Sequence, residues 1–145
     1  MAEIKDVVRE IAEQIRNRVE GIRRVPEAPP ESNDVFPFVV VYPLTGEYDL
    51  HTPEDMVGLH SINIELHVAR KDLARDFGTL VDIMDDIPRE LLDALTDGDI
   101  GESSSDVNLS TFGAINYTFG ALEWAGVETL GVTYTINEVK VKANL

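Results

Sequence analysis

The residues of this chain that could do chemistry fall into two acidic stretches and three scattered histidines. Asp82, Asp85, Asp86 and Glu90 crowd carboxylates around one helix junction, a grouping that can raise a pKa into the range useful for acid–base work. No nucleophile or oxyanion donor lies near them in sequence, which favours a hydrated acidic face. Asp97, Asp99, Glu102 and Asp106 have the composition of a calcium loop, but the glycine and closing glutamate do not fall where an EF-hand needs them. His51, His60 and His67 have no pair at the close helical spacing that metal ligands favour, and His60 and His67 sit at opposite parities of one strand. They are expected to be surface or structural residues. Ser103, Ser104 and Ser105 lack the glycine elbow that makes a serine reactive. No GxGxxG or GxxxxGK pattern offers a phosphate cradle, and the absence of cysteine removes thiolate chemistry of every kind. The expectation is a protein with no catalytic, cofactor or metal residues.

The elements that would carry these residues follow from hydrophobic period. Ile4, Val7, Val8, Ile11, Ile15, Val19 and Ile22 fall within an arc of about 120° on a helical wheel, so a helix is expected from Ile4 to Ile22. Pro26, Pro29 and Pro30 bar its continuation and predict an extended connector. Phe36 to Tyr42 is an unbroken apolar run of strand-forming residues, which reads as a central strand buried on both faces. Gly46 to Leu59 is polar and holds Pro53 and Gly58, so it reads as a loop with at most a short extended piece around Tyr48 to His51.

Within the next twenty residues the period switches. Ile62, Ile64, Leu66 and Val68 alternate as in a strand, then Leu73, Phe77, Leu80, Val81 and Met84 recur at helical spacing, with Asp72 placed to cap the helix. A short helix from Pro88 to Leu95 should follow. Thr96 to Ser110, rich in glycine, serine and acid, reads as a surface loop. Two alternating strands come after it, from Ile115 to Ala121 and from Val132 to Ile136, joined by a connection from Leu122 to Leu130. That connection carries Trp124, Val127 and other apolar residues at its tip, buried either against a partner or back on its own core. Val139 and Val141 have opposite parity to Ile136, so a β-bulge is expected near Asn137 and Glu138. The sum is a single α+β domain spanning 1–145, with a small, mostly antiparallel sheet of about four strands and two main helices packed on one face.

The 27 acidic residues against 12 basic ones leave a formal charge of −15, which repels nucleic-acid backbones and anionic lipid alike. Residues 1–24 carry five acids and six bases, so the acidity lies beyond the first helix. Four lysines against eight arginines, with acids spread along the whole chain, suit either a halophilic protein or an ordinary acidic domain. No apolar run approaches the roughly 18 residues of a membrane span, and the start is amphipathic rather than signal-like, so a soluble, unexported protein is expected.

In this arrangement the chain resembles the tail terminator, or tail completion, proteins of long-tailed phages and archaeal tailed viruses. The resemblance rests on the amphipathic starting helix, the proline-bounded strand FPFVVVYP, the strand–helix unit HSINIELHVARKDLARDF and the closing GVTYTINEVKVK, and it covers most of the chain. It implies a structural virion protein, assembled in the host cytoplasm. Such a protein forms a ring, usually of six copies, on the last ring of tail tube subunits. It stops tube growth there and offers a joining surface to the head-closure or connector protein. DNA would only pass through the lumen, which an acidic wall suits. The family has no catalytic residues to carry over. Tyr48 and His51, the acidic loop with Asp97, Asp99, Glu102 and Asp106, and the tip with Trp124 and Val127 are the candidate contacts with other subunits and partners. Another neck component, such as a head-closure protein, would produce much of the same pattern. A small acidic enzyme or ligand-binding domain built on Asp82 to Glu90 is the remaining alternative.

Overall fold

The computed structural model describes residues 3–26, 35–97, 107–108 and 115–144. It is an α+β fold in which one antiparallel sheet carries all its helices on a single face. In chain order the elements are α1 (Ile4–Arg18), β1 (Phe38–Thr52), β2 (Asp55–Val68), α2 (Leu73–Met84), α3 (Asp86–Asp97), β3 (Val107–Asn108), β4 (Ile115–Trp124) and β5 (Val127–Asn144). The sheet runs β1-β2-β5, and β4 and β3 share the place beyond β5, so it is four strands wide.

Side chains alternate across these strands as the sequence pattern requires. Val39 and Val41, then Ile62, Ile64, Leu66 and Val68, then Leu130, Val132, Tyr134 and Ile136 point to the helices. They meet Val7, Ile11 and Ile15 of α1, Leu80 and Ile83 of α2, and Ile87, Leu91 and Ala94 of α3. The α2–α3 pair is broken at Asp85, where the Tyr134 hydroxyl donates to the Met84 carbonyl freed by the break. Asp72 caps α2 as expected, its Oδ1 accepting from the Arg75 amide at 3.3 Å. Arg18 ties α1 to α3 through Asp93 at 3.1 Å.

The bulge lies where the parity flip put it. Ile62 pairs with Ile136 but His60 pairs with Val139, so Ser61 faces both Asn137 and Glu138. Glu138 takes φ 61°, and the Ser61 hydroxyl donates to Asn137 Oδ1 at 3.3 Å. The extra residue returns Val139 and Val141 to the helix-side core, where both are buried.

Other boundaries differ from the sequence expectation, each for a physical reason. The first helix ends at Arg18 rather than Ile22, because Val19 turns extended and the next residues join the sheet edge: the Val39 amide donates to the Arg24 carbonyl at 3.0 Å, and the Arg23 amide to the Pro37 carbonyl at 2.8 Å. The apolar run from Phe36 is not a central strand. β1 lies at the edge, where Pro43 needs no ladder donor. Its two-sided burial comes from α1 on one face and aromatic neighbours on the other.

Gly46 to Leu59 is not a loop. It is the distal half of a long β1–β2 hairpin turning at Pro53 and Glu54, with Leu44 and His51 left over at two register shifts. Its polarity reflects strands facing water, not irregular backbone. The short helix is longer than expected, Asp86–Asp97. Of the expected loop from Thr96 to Ser110, Thr96 and Asp97 belong to α3 and Val107 and Asn108 pair with Val141 and Lys140; residues 98–106 and 109–110 lie outside the described residues. The connection from Leu122 to Leu130 shrinks to Ala125 and Gly126, both at positive φ (53° and 81°), the signature of a tight two-residue hairpin turn. No helix among the described residues is long and apolar enough to cross a membrane.

Candidate functional site

On the helix-free face, a chain of hydrogen bonds crosses the sheet from β5 to β1. His67 Nδ1 lies 2.6 Å from Thr129 Oγ1 and its Nε2 lies 2.8 Å from Glu65 Oε1. The Tyr42 hydroxyl donates to the other Glu65 oxygen and accepts from Asn63 Nδ2 at 3.4 Å. Thr135 Oγ1 donates to Asn63 Oδ1 at 2.8 Å. Burial pushes the Glu65 carboxyl up, but the bonds from His67 and Tyr42 outweigh it and hold Glu65 below the usual carboxylate range. Burial and the neighbouring Glu65 raise the Tyr42 phenol.

A hydroxyl, an imidazole and a carboxylate in hydrogen-bonded sequence is the order of a nucleophilic triad. Here it has no room to act. His67 and Thr129 are fully buried, Phe38 stacks on the imidazole with centroids 4.5 Å apart, and Trp124 stands edge-on to both rings at 6.2 and 5.8 Å. The network is a small second core that pins the three strands on the face without helices.

The same packing settles where Trp124 goes: it ends β4 and folds back onto its own sheet, leaving Val127 half exposed at the hairpin tip. Tyr48 and His51 lie on the distal, water-facing half of β1. Asp97 is the last residue of α3, far along the sequence from both. Asp99, Glu102 and Asp106 lie outside the described residues. The structure therefore gathers Trp124 and Val127 at one hairpin and places Tyr48 and His51 on another, with no single cluster joining them. The carboxylates from Asp82 to Glu90 likewise do not converge into a group that could hold a metal ion. Asp82 and Asp85 face water, Asp86 pairs with Arg89 at 2.7 Å, and Glu90 lies 3.9 Å from Arg18. No group of three metal-ligating side chains occurs among the described residues.

Two features escaped sequence reasoning. The first is an apolar strip on the surface. Leu73, Phe77 and Val81 recur every fourth residue on the outer side of α2 and remain 63 %, 49 % and 45 % exposed; Tyr117 and Phe119 of the neighbouring edge strand β4 remain 58 % and 42 % exposed. The rings of Phe77 and Phe119 meet edge-on at 5.7 Å, so helix and strand present one surface. The signal was present, since Phe77 and Val81 fit the helical period, but periodicity does not say which apolar residues lack a neighbour.

The second feature is a half-open cavity of about 200 Å³ between the start of α1 and the distal sheet, lined by Ile4, Tyr48, Met56, His60 and Val141 among others. His60 is 5 % exposed, and burial pushes its imidazole below the usual histidine range. Nothing in the spacing of one histidine could have announced it. No protein-family model matches the chain, and no curated protein matches its sequence.

Proposed function

We propose that the protein is a structural assembly subunit of the tail terminator kind: it closes into a ring, caps a growing tail tube and presents the head-facing side of that ring to a connector. The observation that carries an assembly role is the exposed strip of Leu73, Phe77, Val81, Tyr117 and Phe119. Isolated proteins seldom leave a contiguous apolar surface in water unless a partner covers it. The strip borders β4, whose outer edge has no strand beyond it among the described residues, and β1 forms the opposite edge, paired only at its start, where Arg23 and Arg24 bond to Pro37 and Val39. Two unlike edges on one subunit suit a heterologous contact, in which one face meets a different face of the next copy, and such contacts close into rings. The choice of a tail terminator among ring-forming proteins rests on the sequence resemblance and the order of elements. The net charge of −15 fits a lumen through which DNA slides without adhering.

The test is particle mass by light scattering in molar salt, with negative-stain images of the same fractions and tail tube protein added afterwards. Closed rings that arrest tube elongation are expected. A protein that stays monomeric and leaves tube length unchanged would overturn the proposal, and binding to the portal side alone would assign it to another neck component.

A further inference from the structure

The cavity at the start of α1 is built around a histidine that the assembly role does not use. His60 lies on bare backbone between two glycines. A Cβ on Gly46 would fall 2.6 Å from its Nδ1 and one on Gly58 would fall 2.3 Å from its Nε2, so no other residue at either position leaves the ring where it is. Tyr48 stands edge-on to the imidazole, centroids 5.3 Å apart.

No hydrogen-bond partner for either ring nitrogen occurs among the described residues. Yet no buried side-chain nitrogen or oxygen there lacks a partner, so the ring nitrogens reach open space. That space is the cavity on one side and a shallower groove beside Ser61 and Asn137 on the other. One nitrogen of the neutral imidazole can accept from a ligand hydroxyl placed in that space.

The surroundings select the ligand. Burial pushes the imidazole below the usual histidine range, Glu3 and Lys5 on the lining pair with each other at 3.0 Å, and the α1 terminus already has its own carboxylate, Asp6 accepting from the Glu3 amide at 2.9 Å; no uncompensated charge favours an ion. A single histidine cannot hold a metal ion in place. The walls from Ile4, Met56 and Val141 are apolar. At about 200 Å³ the void exceeds the roughly 150 Å³ cavity known to admit benzene.

We propose that this cavity binds a phenolic ring, its body against Ile4, Met56 and Val141 and its hydroxyl donating to a nitrogen of His60. Two sources carry such a ring, a free small phenol and a tyrosine of a second copy, for which Tyr117, 58 % exposed, is the natural candidate. Phenol binding itself does not depend on the terminator reading.

The experiment titrates p-cresol, and toluene as the hydroxyl-free control, into the ¹⁵N-labelled full chain while following the amides of Gly58, His60 and Val141. Saturable shifts are expected for p-cresol, with toluene roughly tenfold weaker for want of the hydrogen bond. Gly58→Ala, which keeps the histidine but drives its ring into the void, should lose the response. Absence of saturable shifts up to the solubility limit would overturn the proposal, as would toluene binding as tightly as p-cresol; both readouts use the unaltered chain, so a variant that fails to fold does not blunt the test. Sedimentation then distinguishes the sources. Self-association weakened by Tyr117→Phe and by added p-cresol assigns the ring to a second copy, and self-association indifferent to both assigns it to a free phenol.

Discussion

Asp76 shows how much a single carboxylate can organise. It is buried at the first turn of α2, and its Oδ2 accepts from the Lys71 and Asp72 amides at 2.9 Å each, while Arg75 lies 3.4 Å away. Burial alone would raise its pKa, but those amides and the guanidinium outweigh it and depress it. A carboxyl whose folded pKa lies below its unfolded value contributes stability above the ordinary aspartate range, near pH 4, and loses it as pH falls toward the folded pKa. Asp76→Asn should therefore lower stability at neutral pH by about 1–2 kcal/mol. It should also flatten the acid limb of the melting temperature as pH falls below the ordinary aspartate range, as thermal denaturation at successively lower pH would show. An unchanged acid limb would mean that another carboxylate governs it. None of this was legible in sequence, where Asp76 is one acid among many; its role comes from the chain turning its amides inward. The sequence leaves His67 as either a surface or a structural residue; the structure makes it structural through Thr129, 62 residues away, and no local pattern connects them.

At the scale of elements, the bulge at Asn137 and Glu138 was readable because strand period is two and parity errors are visible in a list of residues. Deleting Glu138 takes out the extra residue, so Val139 and Val141 fall into period-two phase with Ile136 on a regular ladder and stay in the core. The deletion variant should stay within about 1 kcal/mol of the parent in chemical denaturation, whereas a loss near the roughly 3 kcal/mol of turning two buried valines outward would show that the bulge does not set the facing. The turn offers the opposite test. Ala125 holds φ 53°, a left-handed backbone that asparagine tolerates better than alanine, so Ala125→Asn should raise stability by about 0.5–1 kcal/mol in chemical denaturation. The long β1–β2 hairpin was missed because its distal strands face water and carry proline and glycine, the residues that elsewhere mark loops. Glycine there seats His60 instead of turning the chain, a reason found only in three dimensions.

For the whole molecule, fold class and the one-sided helix layer followed from the order of periodic segments, because an amphipathic helix and an alternating strand each have one face to bury. The contact surface did not, since exposure depends on what the rest of the chain fails to cover. Phe77→Glu should leave the isolated subunit within about 1 kcal/mol of its parent while abolishing ring formation in light scattering; rings that persist would move the subunit contact elsewhere. The charge of −15 has its own consequence. Screening relieves repulsion among the acids, so the melting temperature should climb steadily from low salt to molar salt, and a flat response would end the halophilic reading.

The β2–β5 ladder has a bearing on how the chain finds this structure. β1 with β2, and β4 with β5, are hairpins that close locally, whereas β2 and β5 join Asp55 to Asn144 at one end and Val68 to Leu130 at the other. Bringing such distant segments together costs loop-closure entropy before any contact repays it. The seam between the two hairpins is therefore expected to complete last, after the rate-limiting barrier, and Thr129, His67 and the bulge all sit along it. Substitutions on the seam should speed unfolding and leave the folding rate almost untouched, while substitutions inside either hairpin should slow folding.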